Sequence, residues 1–294
     1  MSILLPLYIY PWAGAWDPLY WACVHPLPVP IIPIHLADRT IPSAATNPTL
    51  NFSVIINPCS GPCVNGIPQS PYLTELPRLK DYPNIRTLGY VATNYTNKPI
   101  EDLLVEIRTY NYWTSTLNDS RVAVDGIFFD ETPGPYHWQK HDYLATATKE
   151  VKASPGLGQQ IVGSIFPQAL INTFLTAPVV HNPGAIPYIP WNYLDLADIT
   201  VIFEETFTNF LDAPKFNALK TLHTDANVTK NAFALMLHTV PNIPTELLDW
   251  TVHQMKEMAG YGFLSSVGVP GEYWHSFSTI FTPFVQRFAV VTEQ

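Results

Sequence analysis

Charge is what this chain has least of. Asp, Glu, Lys and Arg make up 13% of 294 residues, about half the usual share of a soluble domain. Fifteen Lys and Arg stand against 24 Asp and Glu, for a formal charge of −9, and no basic cluster occurs. Nucleic acid is therefore not an expected partner. An acidic molecule would rather attract a cationic polymer, although net charge governs encounter and not chemistry. Cysteine is scarce too. Cys23, Cys59 and Cys63 cannot form a disulfide framework. Cys59 and Cys63 could bridge the turn in NPCSGPC, but the spacing is no zinc signature and no Cys/His cluster accompanies it, so neither a metal nor another cofactor is expected. No apolar run reaches 18 residues, so no membrane span is expected. The opening MSILLPLYIYP has no basic leader or small-residue cleavage site and reads as a first core strand.

Apolar and aromatic residues are abundant, at 47% hydrophobic with 8 Trp, 15 Tyr and 15 Phe. Most rings belong in a core, but a ring left on the surface can stack on the apolar face of a pyranose. Apolar, β-rich runs bounded by turn signals occur near residues 3–10, 52–57, 85–91, 124–129, 160–182, 199–203, 232–238 and 261–265. Helix-like stretches lie between them, most clearly PIEDLLVEIRTYNYW, HDYLATATKEVKA and PTELLDWTVHQMKEM, with Pro99 and Pro244 where a helix start tolerates them. Strand alternating with helix implies a parallel sheet, and eight rounds imply an α/β fold of the (β/α)8 TIM-barrel type. No repeat or second domain is visible, so residues 1–294 read as one barrel domain. Two segments break the pattern. Residues 23–48 carry six prolines, a density that excludes regular helix or central strand. Residues 164–179 separate QQIV from HNPG, which would join naturally into one strand. Long structureless loops are uncommon, and we read one or both inserts as translated intron sequence.

The stretch VDGIFFDE ends an apolar run in two carboxylates, Asp130 and Glu131, and ADITVIF likewise stops at Glu204 and Glu205. Acids after a strand also serve as first-turn charges of the next helix. Two such pairs at one rim are also what a hydrolase built on paired carboxylates needs. In a TIM barrel, chemistry sits on the loops after the C-terminal strand ends. Those ends are polar here: Tyr8 and Tyr10, Asn57, Tyr90 and Thr93, Asn182 after the fifth strand, and His238 after the seventh. Such groups can grip hydroxyls and an acetamido group, although His238 also fits a hydrogen-bonded core histidine. Neighbouring strand residues point to opposite faces, so Asp130 and Glu131 cannot both enter one site unless the strand has turned. Four Asn-x-Ser/Thr sequons, at Asn51, Asn94, Asn118 and Asn227, hint at a secreted glycoprotein.

Taken in order, PLYIYPWAGAWDPLY, NFSVIINPCSGP, LGYVATNY, Tyr110 with Trp113, VDGIFFDE, HNPG and ADITVIFEE resemble the spherulin-4, or spherulation-specific family 4, proteins, classed as glycoside hydrolase family 135. The resemblance covers nearly the whole chain outside the two inserts. It implies a (β/α)8 barrel and, as in the characterised fungal members, endo-acting hydrolysis of α-1,4-linked N-acetylgalactosamine in galactosaminogalactan, a partly cationic exopolysaccharide. The family's Asp-Glu pair falls on Asp130 and Glu131, and its further glutamate on Glu204 rather than Glu205. Cys59 and Cys63 stand where the family tends to have Asn and Gly. On this reading Asp130 is nucleophile or charge stabiliser, Glu204 is general acid/base, and Glu131 tunes the site or holds substrate. Tyr8, Tyr10, Asn57, Tyr90, Asn182 and His238 bind sugar. A secreted or cell-surface monomer is expected. The rival from another class is a cell-surface or spore-coat protein that binds glycan without cutting it.

Overall fold

In the computed structural model, eight parallel strands close into a barrel in sequence order, β1 beside β8. The structure describes residues 1–24, 50–158, 177–268 and 272–289. The strands are β1 (Ser2–Leu7), β2 (Asn51–Ile56), β3 (Ile85–Ala92), β4 (Gly126–Asp130), β5 (Val179–His181), β6 (Ile199–Thr206), β7 (Phe233–His238) and β8 (Tyr261–Leu264). Helices α1 (Asp17–Val24), α2 (Ser70–Leu79), α3 (Ile100–Leu117), α4 (Trp138–Ala153), α5 (Phe207–Phe210), α6 (Ala213–Asp225), α7 (Thr245–Met258) and α8 (Phe281–Ala289) intervene or follow. The TIM-barrel expectation holds, and the three clearest sequence helices appear as α3, α4 and α7.

Strand boundaries needed correction at three places, and the sixth strand runs on through Glu204 and Glu205 to Thr206 rather than stopping at Phe203. The first strand ends at Leu7 rather than Tyr10, because the chain bends at Ile9, whose carbonyl accepts from Trp16 Nε1 at 2.9 Å. The fifth strand, sought across 160–182, is only Val179–His181. Of the inserts, Cys23 and Val24 close α1, and Ala177 to Val179 lead into and begin β5. Residues 25–49 and 159–176, where both inserts mostly fall, lie outside the described residues.

The strands are buried almost throughout, as expected where helices cover a parallel sheet. On β3, Gly89 lets the Tyr110 ring of α3 approach so closely that an added Cβ would sit 2.8 Å from it. The Tyr110 hydroxyl then donates to the Tyr90 carbonyl at 3.0 Å, fixing the C-terminal end of β3.

A buried ion pair ties the opposite end of the barrel. Lys80 reaches both oxygens of Asp125 at 2.9 Å, and Asp125 also accepts from the Thr87 backbone N–H at 2.7 Å. Removing one partner of a buried pair strands the other charge without compensation. Asp125→Ala should lower unfolding free energy by about 3–5 kcal/mol, as read by urea denaturation. A loss under about 1 kcal/mol would contradict the pair's structural role.

Candidate active site

The cavity at the C-terminal mouth of the barrel measures about 520 Å³, within the range of small-molecule sites. Strand alternation decides what enters it. On β4, Phe128 and Asp130 line the cavity, while Phe129 packs against His181 on the helix side, with ring centroids 5.8 Å apart. Strand β6 begins out of phase with this need. Thr200 pairs with His181 and faces the helix layer, so regular alternation would turn Glu204 outward and Glu205 inward. A bulge reverses the phase: Val201 pairs with Ala234, but Phe203 pairs with Leu235. Glu204 therefore stands beside Met236, which lines the cavity, and Glu205 accepts from Asn209 at 2.7 Å.

Asn182 joins the two acids. Its side-chain Nδ2 donates to Asp130 Oδ1 at 2.7 Å and to Glu204 Oε2 at 2.5 Å. Those two oxygens share one nitrogen, so they lie no further apart than the two contacts end to end, about 5.2 Å. Asn182 is itself fixed: its N–H donates to the Phe129 carbonyl at 2.8 Å, and its Oδ1 accepts from the Gly184 N–H at 3.0 Å. Gly184, at φ 61°, turns the HNPG segment back so that its carbonyl accepts from the Glu204 N–H at 3.1 Å.

Three donors converge on Asp130: Tyr90 Oη at 2.8 Å, Asn182, and the Glu131 backbone N–H at 2.9 Å. Glu204 accepts from Asn182 and meets the Tyr273 hydroxyl at its other oxygen. Burial, reinforced by the charge of Asp130, pushes the Glu204 carboxyl up to about 7 from its ordinary 4.5, against the opposing pull of the Asn182 hydrogen bond. The Tyr8 and Tyr90 phenols are raised, chiefly by burial and then by Asp130, and so stay neutral donors.

Of the residues picked out in the sequence, the cavity brings together Tyr8, Asn57, Tyr90, Asp130, Asn182 and Glu204. Three stand elsewhere. Tyr10 packs on Trp12 and Tyr72, with centroids 4.5 and 5.8 Å away, because the chain leaves the barrel after β1. His238 lies behind Tyr273, their rings stacked at 4.7 Å. Glu131 does not line the cavity. With φ at 52° it turns away, and its carbonyl accepts from Thr93 Oγ1 and the Tyr95 N–H, each at 2.7 Å. Among the described residues no cluster of His, Cys, Asp or Glu could hold a metal.

The family model of spherulation-specific family 4 matches residues 2–288. The chain belongs to that family. The crystal structure of Aspergillus clavatus Sph3 in complex with GalNAc is 32% identical, over 98% of this chain and 97% of that chain, with a TM-score of 0.79. A chitinase from Rhizomucor miehei is 12% identical over 98% of this chain and 99% of its own, at a TM-score of 0.48. No curated protein sequence matches.

In this spherulation-specific family member, sequence reasoning missed the loop after β8. Tyr273, Trp274 and His275 all line the cavity, and Tyr273 touches Glu204. The signal was present: EYWHSF puts four rings within six residues beyond the last strand. It also left the cysteine turn open, and Cys59 and Cys63 form a disulfide. Cys59 and Ser60 line the cavity beside Asn57, whose Oδ1 accepts from the Gly61 N–H at 3.0 Å.

Glu204 is raised in the folded state, so its contribution to stability is fully present below about 4.5 and is lost as pH rises through about 7. Thermal melts should therefore show Glu204→Gln gaining on the wild type between about pH 4 and pH 8, and a pH-independent difference would refute the raised carboxyl. Replacing both Cys59 and Cys63 with Ser should cost about 2 kcal/mol, the chain-entropy value for so short a loop. Unchanged melting would show that the turn holds its shape without the bridge.

Proposed function

We propose that this protein is an endo-acting glycoside hydrolase that cleaves α-1,4-linked N-acetylgalactosamine in galactosaminogalactan-type exopolysaccharide. The observation that carries the proposal is the pair of carboxylates bridged by one amide nitrogen, one of them raised to about 7. A general acid works best with its pKa near the operating pH, and two acids in unlike surroundings divide the two roles. Glu204 is the general acid/base, and Asp130, oriented by three donors, is the nucleophile. The close approach of their oxygens favours retention, for which carboxyl groups stand about 5–5.5 Å apart.

In the first step an Asp130 oxygen attacks the anomeric carbon, the glycosidic C–O bond breaks, and the Glu204 proton passes to the leaving oxygen. In the second, water loses a proton to Glu204 and displaces Asp130 from the anomeric carbon. Asn182 holds both carboxylates in register. Glu131 acts as a positioning residue through its backbone, whose N–H binds Asp130. Tyr8, Asn57, Tyr90 and Trp274 offer donors, acceptors and a ring face to the sugar. The amino-sugar substrate class is supported by the GalNAc bound in Aspergillus clavatus Sph3.

A secreted or cell-surface location is supported by the Cys59–Cys63 disulfide, which persists in oxidising compartments. All four sequon asparagines are exposed, and among the described residues no helix is long and apolar enough to cross a membrane.

The test is incubation with purified galactosaminogalactan, with chromatography of released oligosaccharides and NMR of the first-formed anomer. Wild type should release oligosaccharides as the α anomer, with kcat falling as pH rises past about 7. Glu204→Gln should lower kcat by at least about 100-fold. Retention of the polymer with no release would favour a protein that binds glycan without cutting it, and a β product would exclude Asp130 as nucleophile.

A further inference from the structure

Beyond the cavity, the loops after β4 and β5 carry a group of rings that the proposed chemistry does not use. Tyr136 lies 5.8 Å from Trp191 and 5.3 Å from Tyr193, centroid to centroid. Trp191 is 61% exposed and Tyr136 37%, whereas Tyr193 is buried beneath them. Rings kept on the surface at such cost in apolar exposure mark a binding surface, above all where polar groups rim them. His141, Asn192 and Asp195 supply that rim.

The ledge is built. Tyr193 Oη accepts from the His137 N–H at 2.8 Å and donates to the Pro135 carbonyl at 2.9 Å, so one buried phenol pins the β4 loop onto the β5 loop. Both loops start at the acids' own framework. The β4 loop leaves directly from Asp130 and Glu131. The β5 loop leaves from Asn182 and Gly184, where a Cβ added at Gly184 would lie 3.4 Å from that of Glu204. The two loops come together again at Gly134, where an added Cβ would lie 3.9 Å from that of Ala185. The ledge therefore stands on the same C-terminal face of the barrel as the carboxylate pair, on the β4 and β5 side.

We infer that Tyr136 and Trp191 form a distal subsite that stacks a pyranose of the polymeric substrate outside the cavity where the bond is cut. This rests on the glycan reading of the cavity, and it adds the feature that lets an enzyme prefer polymer to short oligosaccharide. A pyranose presents C–H groups on one face and hydroxyls at its edge. Two exposed rings with polar neighbours match that pattern.

The experiment uses the full chain carrying Tyr136→Ala with Trp191→Ala, and Trp191→Ala alone as the milder variant. Kinetics are read on galactosaminogalactan and on a short N-acetylgalactosamine oligosaccharide. KM for the polymer should rise about tenfold with kcat within about twofold, the short substrate should be unaffected, and Tyr136→Phe with Trp191→Phe should restore polymer KM. Equal losses on both substrates, or no loss on the polymer, would overturn the subsite. Affinity electrophoresis in a galactosaminogalactan gel, in the Glu204→Gln background, separates this inference from the hydrolase proposal. Retardation that disappears with the two alanines supports the ledge even if no polymer is ever cut, and retardation that is absent or indifferent to them refutes it.

Discussion

One amide nitrogen sets the character of the barrel mouth. Two carboxylates brought within hydrogen-bonding reach of the same Asn182 Nδ2 cannot both be comfortably ionised, because each raises the cost of charging the other in a poorly solvated place. The strain falls on Glu204, which is buried, bounded by Tyr273 and provided with fewer donors than Asp130. Asp130 has donors on both oxygens and so keeps a fixed orientation. Without Asn182 the pair would be two unlinked acids on strands that are not neighbours. With it, they become one unit with divided roles.

Backbone geometry brings Asn182 and its partners together, and the Tyr90 and Tyr273 hydroxyls then hold the acids. The Gly184 turn points the Asn182 side chain back across the barrel, the positive φ at Glu131 sends the chain away after Asp130, and the bulge in β6 exchanges Glu205 for Glu204. Bulges and left-handed residues are costly in ordinary strands and concentrate where a side chain must be re-aimed. The Lys80–Asp125 pair, with Asp125 also on the Thr87 N–H, ties the end of α2 and the start of β3 to the start of β4, and the Gly89–Tyr110 contact seats α3 on β3.

The barrel was legible because its signals are strong and local. Apolar runs at strand length, separated by helix patterns with prolines at their starts, leave little choice of topology. VDGIFFDE also announced its acids. What the sequence hid was phase. Nothing in ITVIFEE reveals a bulge, and on alternation alone Glu205 has as good a claim to the cavity as Glu204. The choice of Glu204 came from likeness to a family. Tyr10 falls outside the cavity for the related reason that a chain leaving a strand turns within a few residues, whereas alternation already set Asp130 and Glu131 on different sides. The rings after β8 were overlooked because nothing local in a short polar-aromatic loop shows that it folds over the mouth.

The central claim is that Glu204 holds its proton to near neutrality because it is buried beside a bridged Asp130. A carboxyl-carbon NMR titration with labelled glutamate, the Glu204 signal assigned by its absence in Glu204→Gln, measures this directly. The account predicts a midpoint of about 7 in the wild type, displaced downward in Asp130→Asn as the neighbouring charge is removed. A wild-type midpoint near the ordinary 4.5, or one indifferent to Asp130→Asn, would contradict it.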